Sequence, residues 1–179
     1  FLHAAVAQEV EDRFATILRR FGRVLVHGAA PSDLAQRISD SGKADEVLTS
    51  DIAPESGAAM ILDSEALPFA DGSLDAVLWV LGLEAVNDLP GTLLQIRRAL
   101  KPDGVLIAGI LGGDSLSELR QAWLTAESEV SDGVSPRVAP FADVRDWGGL
   151  LQRAGFALPV VDTDRLTARY ANALGLMQD

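Results

Sequence analysis

Apolar positions along this chain fall into two patterns that alternate. Val6, Val10, Phe14, Ile17 and Phe21 recur at helical spacing and predict an amphipathic helix over roughly residues 3–20, packed on a sheet. Val24–Val26 is a short apolar run followed by the small-residue stretch His27-Gly28-Ala29-Ala30-Pro31-Ser32. A first strand, a ligand-type turn and a helix beginning near Pro31 and Ser32 are expected there. Leu34, Ala35 and Ile38 give that helix a buried face. Glu46–Asp51 reads as a second strand ending in a carboxylate, Ala58–Leu62 as a third ending at Asp63-Ser64-Glu65, and Leu74–Leu81 as a fourth behind the Asp71-Gly72 turn.

Leu89, Leu93, Ile96 and Leu100 mark a helix capped by Asn87 or Asp88, with Pro90 in its first turn. It stops at Lys101-Pro102-Asp103-Gly104, because Pro102 disfavours helical geometry at Lys101. Val105–Leu111 is an apolar fifth strand. Ser115 and Glu118 have capping-box spacing, and Leu116, Leu119, Trp123, Ala126 and Val130 continue as one helical face. Residues 131–141 read as a loop. Val144, Trp147, Leu151 and Ala154 form a helix closed by Gly155, Phe156–Val161 a sixth strand, and Ala171–Met177 a short helix. The three tryptophans, Trp79, Trp123 and Trp147, fall on stripes expected in the core.

Strands alternating with helices on short turns predict an α/β fold, a doubly wound and mostly parallel Rossmann-like sheet. A single domain over 1–179 is expected, with 1–22 as an N-terminal helix, 23–111 as the cofactor-binding core and 112–179 as acceptor-side helices and the sixth strand. Ligands of such sheets bind at the carboxyl ends of the strands. That rule gathers His27–Ser32, Asp51, Asp63 and the Leu81–Asn87 loop.

Charge and composition narrow the chemistry. Fifteen Lys and Arg against 26 Asp and Glu give a net charge of −11, which repels phosphate backbones and anionic lipid, so nucleic acid is not an expected partner. The chain has no cysteine and only His3 and His27, so no metal site is expected. No apolar run approaches the ~20 residues of a membrane span, and the expected location is cytoplasmic. No Gly-x-Ser-x-Gly nucleophile motif occurs, and the sequence names no catalytic residue. His27 carries two readings, a general base in the ligand turn or an imidazole satisfied by local groups.

Several segments together carry a family resemblance. They are Asp51 after the second strand, Asp63 with Leu67-Pro68-Phe69, Ser73-Leu74-Asp75-Ala76-Val77, and Leu100-Lys101-Pro102-Asp103-Gly104. This pattern resembles the class I S-adenosylmethionine-dependent methyltransferases. Gly112-Gly113-Asp114-Ser115-Leu116-Ser117-Glu118-Leu119-Arg120, Ser135-Pro136-Arg137-Val138-Ala139-Pro140-Phe141, Leu151-Gln152-Arg153-Ala154-Gly155-Phe156 and Val161-Asp162-Thr163-Asp164 are similar to the complex I assembly factor 5 type. Similarity to the malonyl-carrier-protein methyltransferase of biotin synthesis is weaker.

The resemblance implies S-adenosylmethionine as cofactor, with His27, Gly28, Ala30, Asp51, Ile52, Asp63, Ser64 and Leu81 around it. Asp51 would take the ribose hydroxyls and Asp63 the adenine amino group beside the Ser64 amide. Asp114, Arg120 and Arg137 would lie on the acceptor side, although surface ion pairing or capping is the alternative for each. The chain also departs from the family. Val26 replaces the acid that meets the methionine ammonium, Ala30 and Ser32 replace glycines, and Glu84-Ala85 stands where relatives tend to have His-Trp. The family's seventh strand has no counterpart after Met177, so an open sheet edge that a second chain could fill is expected.

Three functions are therefore carried forward. The first is an S-adenosylmethionine-dependent methyltransferase with a degenerate cofactor site, acting on a small-molecule or protein acceptor. The second is an inactive methyltransferase-fold factor for respiratory complex I assembly, with a second copy or a complex I subunit as partner; arginine hydroxylation on such a subunit is also linked to this type. The third, a nicotinamide-dependent oxidoreductase, ranks last because no Gly-x-Gly-x-x-Gly follows the first strand.

Overall fold

Strand β1, Phe21–His27, begins three residues before the apolar run that marks it in the sequence, because Phe21 packs against Phe14 with ring centroids 4.8 Å apart. The computed structural model describes residues 1–29, 32–130, 133 and 135–178. The elements are α1 (Leu2–Thr16), β1, α2 (Leu34–Asp40), β2 (Ala44–Asp51), β3 (Met60–Ile61), β4 (Leu74–Val80), α3 (Leu89–Ala99), β5 (Leu100–Gly109), α4 (Ser117–Val130), α5 (Val144–Arg153) and α6 (Ala173–Gln178).

The strands form one sheet in the order β3-β2-β1-β4-β5, and every pairing is parallel. The chain winds outward from β1 to β3, then returns to place β4 on the other side of β1. The switch point therefore lies between β1 and β4, where ligands of open α/β sheets bind. Both central strands are apolar on both faces, as a covered parallel sheet requires. Val6, Val10 and Phe14 of α1 and Leu34 and Ile38 of α2 pack on Val24, Val26, Leu78 and Val80. On the opposite face, Leu93 and Ile96 of α3 and Trp147 of α5 pack on Leu25, Val77 and Trp79. Each such side chain contributes on the order of 2 kcal/mol of burial.

Side-chain caps fix the starts of two helices, the first of them read from the sequence. Asp88 caps α3 by accepting from the Gly91 N–H at 2.9 Å, and Asp143 caps α5 by accepting from the Asp146 N–H at 2.8 Å. Strand β5 starts at Leu100, earlier than expected. Its ladder to β4 shifts register between Leu74 and Ala76, which absorbs the Lys101–Gly104 turn signal.

Three expectations need correction. Phe156–Val161 forms no strand: no ladder pairs it with the edge strand β5, and Leu158 is 91% exposed. Its ends, Phe156 and Val161, pack against the core, and just beyond it the Arg13 guanidinium of α1 donates to Asp162 at 3.0 Å and Asp164 at 2.8 Å. The third strand shrinks to Met60–Ile61. Trp123 is not in the core; it is 36% exposed, with the Arg137 guanidinium 5.9 Å above its ring. The apolar stripe of helix α4 that ends at Val130 is largely uncovered, with Val130 itself 81% exposed.

Candidate functional site

The site is built on the turn that follows β1. Gly28 adopts φ +69°, and its N–H donates to the Ser50 carbonyl of β2 at 3.0 Å. A Cβ placed there would lie 2.5 Å from the Val80 carbonyl oxygen, so conformation and packing both require glycine. The turn thus rests directly on the exit of β4. The Ser32 N–H closes it by donating to the Ala29 carbonyl at 2.6 Å. Ala30 and Pro31 lie outside the described residues.

Asp51 ends β2 and is only 8% exposed. Its Oδ1 accepts from the Ala53 N–H at 3.0 Å, and its carbonyl accepts from the Leu62 N–H at 3.0 Å. The carboxylate is therefore fixed at the strand end, and Oδ2 has no hydrogen bond among the described residues. Ile52 is exposed beside it. Asp63, past β3, is exposed, and its Oδ1 accepts from the Glu65 N–H at 2.8 Å. The Ser64 carbonyl accepts from Thr92 Oγ1 of α3 at 3.0 Å. Glu65 Oε1 accepts from the Asn87 N–H at 2.8 Å, which ties the β3 exit to the loop after β4.

Leu81 leaves β4 with φ +58°, a left-handed conformation that costs a non-glycine residue about 1 kcal/mol or more. Its N–H donates to the Gly109 carbonyl at 2.8 Å. Gly82 follows at φ +85°, and Leu83–Ala85 form a single 3-10 turn.

His27 is 3% exposed and stacks on Trp79 with centroids 3.9 Å apart. Its Nδ1 lies 2.9 Å from Ser50 Oγ. Burial lowers its pKa to about 4, and the negative charge of Asp51 opposes that only in part. At neutral pH the ring is a neutral member of the interior, so of its two readings, local satisfaction describes these surroundings.

The acceptor-side candidates occupy separate local pairs. Asp114 is exposed, 3.5 Å from Arg165, and Arg120 Nη2 reaches the Ser115 carbonyl at 3.5 Å. Arg137 Nε donates to Glu127 Oε1 at 2.6 Å, while the Ser135 N–H donates to Oε2 at 2.7 Å. Those two bonds, Ser135 first, hold the Glu127 carboxyl below its ordinary range. No described hydrogen bond or ion pair joins these three residues to the β1 turn.

Glu84 is a group the sequence reading recorded only as a departure. Burial raises its pKa, opposed only in part by the backbone N–H groups of Glu84, Gly82 and Leu111, and Oε2 is buried without a partner among the described residues. The signal for it was a lone carboxylate in an otherwise apolar loop after a strand end. Among the described residues no group of three or more His, Asp or Glu is placed to hold a metal ion, and no helix is long and apolar enough to cross a membrane.

With this geometry in hand, comparison with known proteins gives a consistent result. Residues 27–108 match the methyltransferase domain family, a span that starts at the β1 turn and ends in β5. The fold is that of a class I methyltransferase. The domain is similar to the arginine-hydroxylase NDUFAF5, mitochondrial, of Homo sapiens, with 39% identity over 188 residues covering 100% of this chain and 54% of that protein. It is 44% identical over 119 residues to the malonyl-[acyl-carrier protein] O-methyltransferase of Gallionella capsiferriformans, covering 65% of this chain and 38% of that one. Among solved structures, phosphoethanolamine N-methyltransferase 2 of Haemonchus contortus, in complex with S-adenosyl-L-methionine, superposes with a TM-score of 0.60 at 16% identity. That match covers 83% of this chain and 36% of the other. The chain thus spans about half the length of the NDUFAF5 relatives it matches.

Proposed function

We propose that this methyltransferase domain binds S-adenosylmethionine across the carboxyl ends of β1, β2 and β4, as the cofactor-binding part of a methyltransferase with a small-molecule or protein acceptor. The observation that carries this reading is the Gly28 turn, where a Cβ would strike the Val80 carbonyl. A glycine under that constraint lets the turn sit directly on the exit of β4, so that its backbone forms the rim of the switch point.

The residues fit the cofactor at several points. Asp51 has Oδ2 available for ribose hydroxyls, and a carboxylate accepts from two donors at once. Asp63 and the Ser64 amide stand at the next strand exit for the adenine. Ile52 and Leu81 offer apolar surface on either side, and Gly28 offers close backbone approach. Val26 does not fit the family's acidic position; its side chain is 1% exposed, inside the core under α1 and α2. When bound, the cofactor supplies an electrophilic sulfonium methyl group. The protein's part is to orient it and keep water from it. Asp114, Arg120 and Arg137 stay in this proposal as acceptor-side residues.

Titration calorimetry with S-adenosylhomocysteine tests this. Micromolar affinity, worth ~8 kcal/mol, is expected. Asp51→Ala should weaken it roughly 10- to 100-fold, the scale of a lost charged hydrogen-bond pair. No heat at millimolar ligand would overturn the reading.

A second reading is favoured by Val26: a fold that no longer binds the cofactor and acts through protein contacts in complex I assembly, with a complex I subunit or a second copy as partner. The cytoplasmic location belongs to the first reading, whereas the NDUFAF5 relatives are named as mitochondrial.

A further inference from the structure

We propose that Glu84 supplies the negative charge that receives the ammonium of the cofactor's methionine part, a role that Val26 leaves vacant. The inference rests on the cofactor-binding reading above and deepens it. Asp51 and Glu84 flank the Gly28 turn from opposite sides, one at the exit of β2 and the other on the loop after β4. Neighbouring strands lie ~4.8 Å apart, so the exits of β2 and β4 are separated by about 10 Å. A ligand with hydroxyls at one end and a cation at the other spans that distance when laid across the turn.

The Glu84 carboxyl is placed to meet such a cation. It is carried on the Leu83–Ala85 turn at the exit of β4. Its Oε2 is buried and without a partner among the described residues, and buried polar atoms in native proteins nearly always have one. The backbone that presents the residue is held in left-handed conformation at Leu81 and Gly82, and strain of that kind collects at ligand sites. Gly28 packs against the Val80 carbonyl, with the Leu81 carbonyl next in line, so a molecule seated on the turn touches this loop. A primary ammonium offers three donors, enough to satisfy the vacant oxygen and the neighbouring carbonyls together. Valine in the core at position 26 and a carboxylate on the loop at position 84 then read as one exchange, with the charge moved from strand β1 to the β4 exit.

The test compares S-adenosylhomocysteine, which carries the ammonium, with 5′-methylthioadenosine, which lacks the whole amino-acid part. Both are titrated into the wild-type chain and into Glu84→Gln. Glutamine keeps the size and shape of the side chain without its charge, and an unchanged melting temperature verifies the fold. S-adenosylhomocysteine should weaken roughly 10- to 100-fold in the variant while methylthioadenosine is unchanged. The desamino analogue of S-adenosylhomocysteine gives the same comparison on the wild type and should bind more weakly by a similar factor. Unchanged S-adenosylhomocysteine affinity in Glu84→Gln, or equal weakening of both ligands, overturns the role of Glu84 and leaves the cofactor site standing. If the wild type binds neither ligand, the cofactor reading and this inference fall together.

Discussion

At Gly28, two independent demands meet on one residue. The φ of +69° disfavours any side chain, and the Val80 carbonyl occupies the space a Cβ would take. Gly28→Ala should therefore lower stability by about 1–3 kcal/mol, read as a fall in the denaturant midpoint, and should weaken S-adenosylhomocysteine in parallel. Retained stability together with retained binding would mean that the turn tolerates a displaced backbone. His27 makes a prediction about pH. Its folded-state pKa is depressed from 6.5 to about 4, so below pH 6.5 the unfolded chain binds the extra proton first. The stability due to a neutral His27 is fully present above pH 6.5 and is lost as pH falls towards 4, at up to about 1.4 kcal/mol per unit. Stability curves for wild type and His27→Asn should converge in slope above pH 6.5 and diverge below it. At this scale the sequence was legible where chemistry is local: Asp51, Asp63 and Gly28 stand where strand ends put them. Glu84 was legible only as a departure, because its burial and its unpartnered Oε2 depend on how the loop after β4 packs.

Helices and strands differ in how far the sequence specified them. The cap at Asp88 and the stop at Gly155 need only neighbours a few residues away, and they form as expected, while Asp143 adds a cap that the hydrophobic pattern did not name. The Phe156–Val161 run and the apolar stripe of α4 depend on a partner, and the hydrophobic pattern alone cannot say whether one is present. The tryptophans measure that difference. Trp79, fully buried in β4, should cost about 3–5 kcal/mol when replaced by alanine. Trp123, covered on one side by Arg137, should cost under about 1 kcal/mol. Equal penalties in chemical denaturation would mean that α4 is packed far more firmly than its exposure indicates.

Across the whole molecule, the all-parallel sheet and its two covering layers follow from alternation of the two hydrophobic periods, so the architecture was readable before any contact was known. The switch point between β1 and β4 follows in turn, and with it the rim formed by the exits of β2, β1 and β4. The central claim is that this rim holds S-adenosylmethionine. The most direct measurement is backbone amide chemical-shift mapping of the full chain during titration with S-adenosylhomocysteine. The account predicts saturable shifts at Gly28, Asp51, Ile52, Asp63, Ser64 and Leu81–Glu84, with α4 and α6 unmoved. Saturable shifts confined to other surfaces, or none at millimolar ligand, would contradict it.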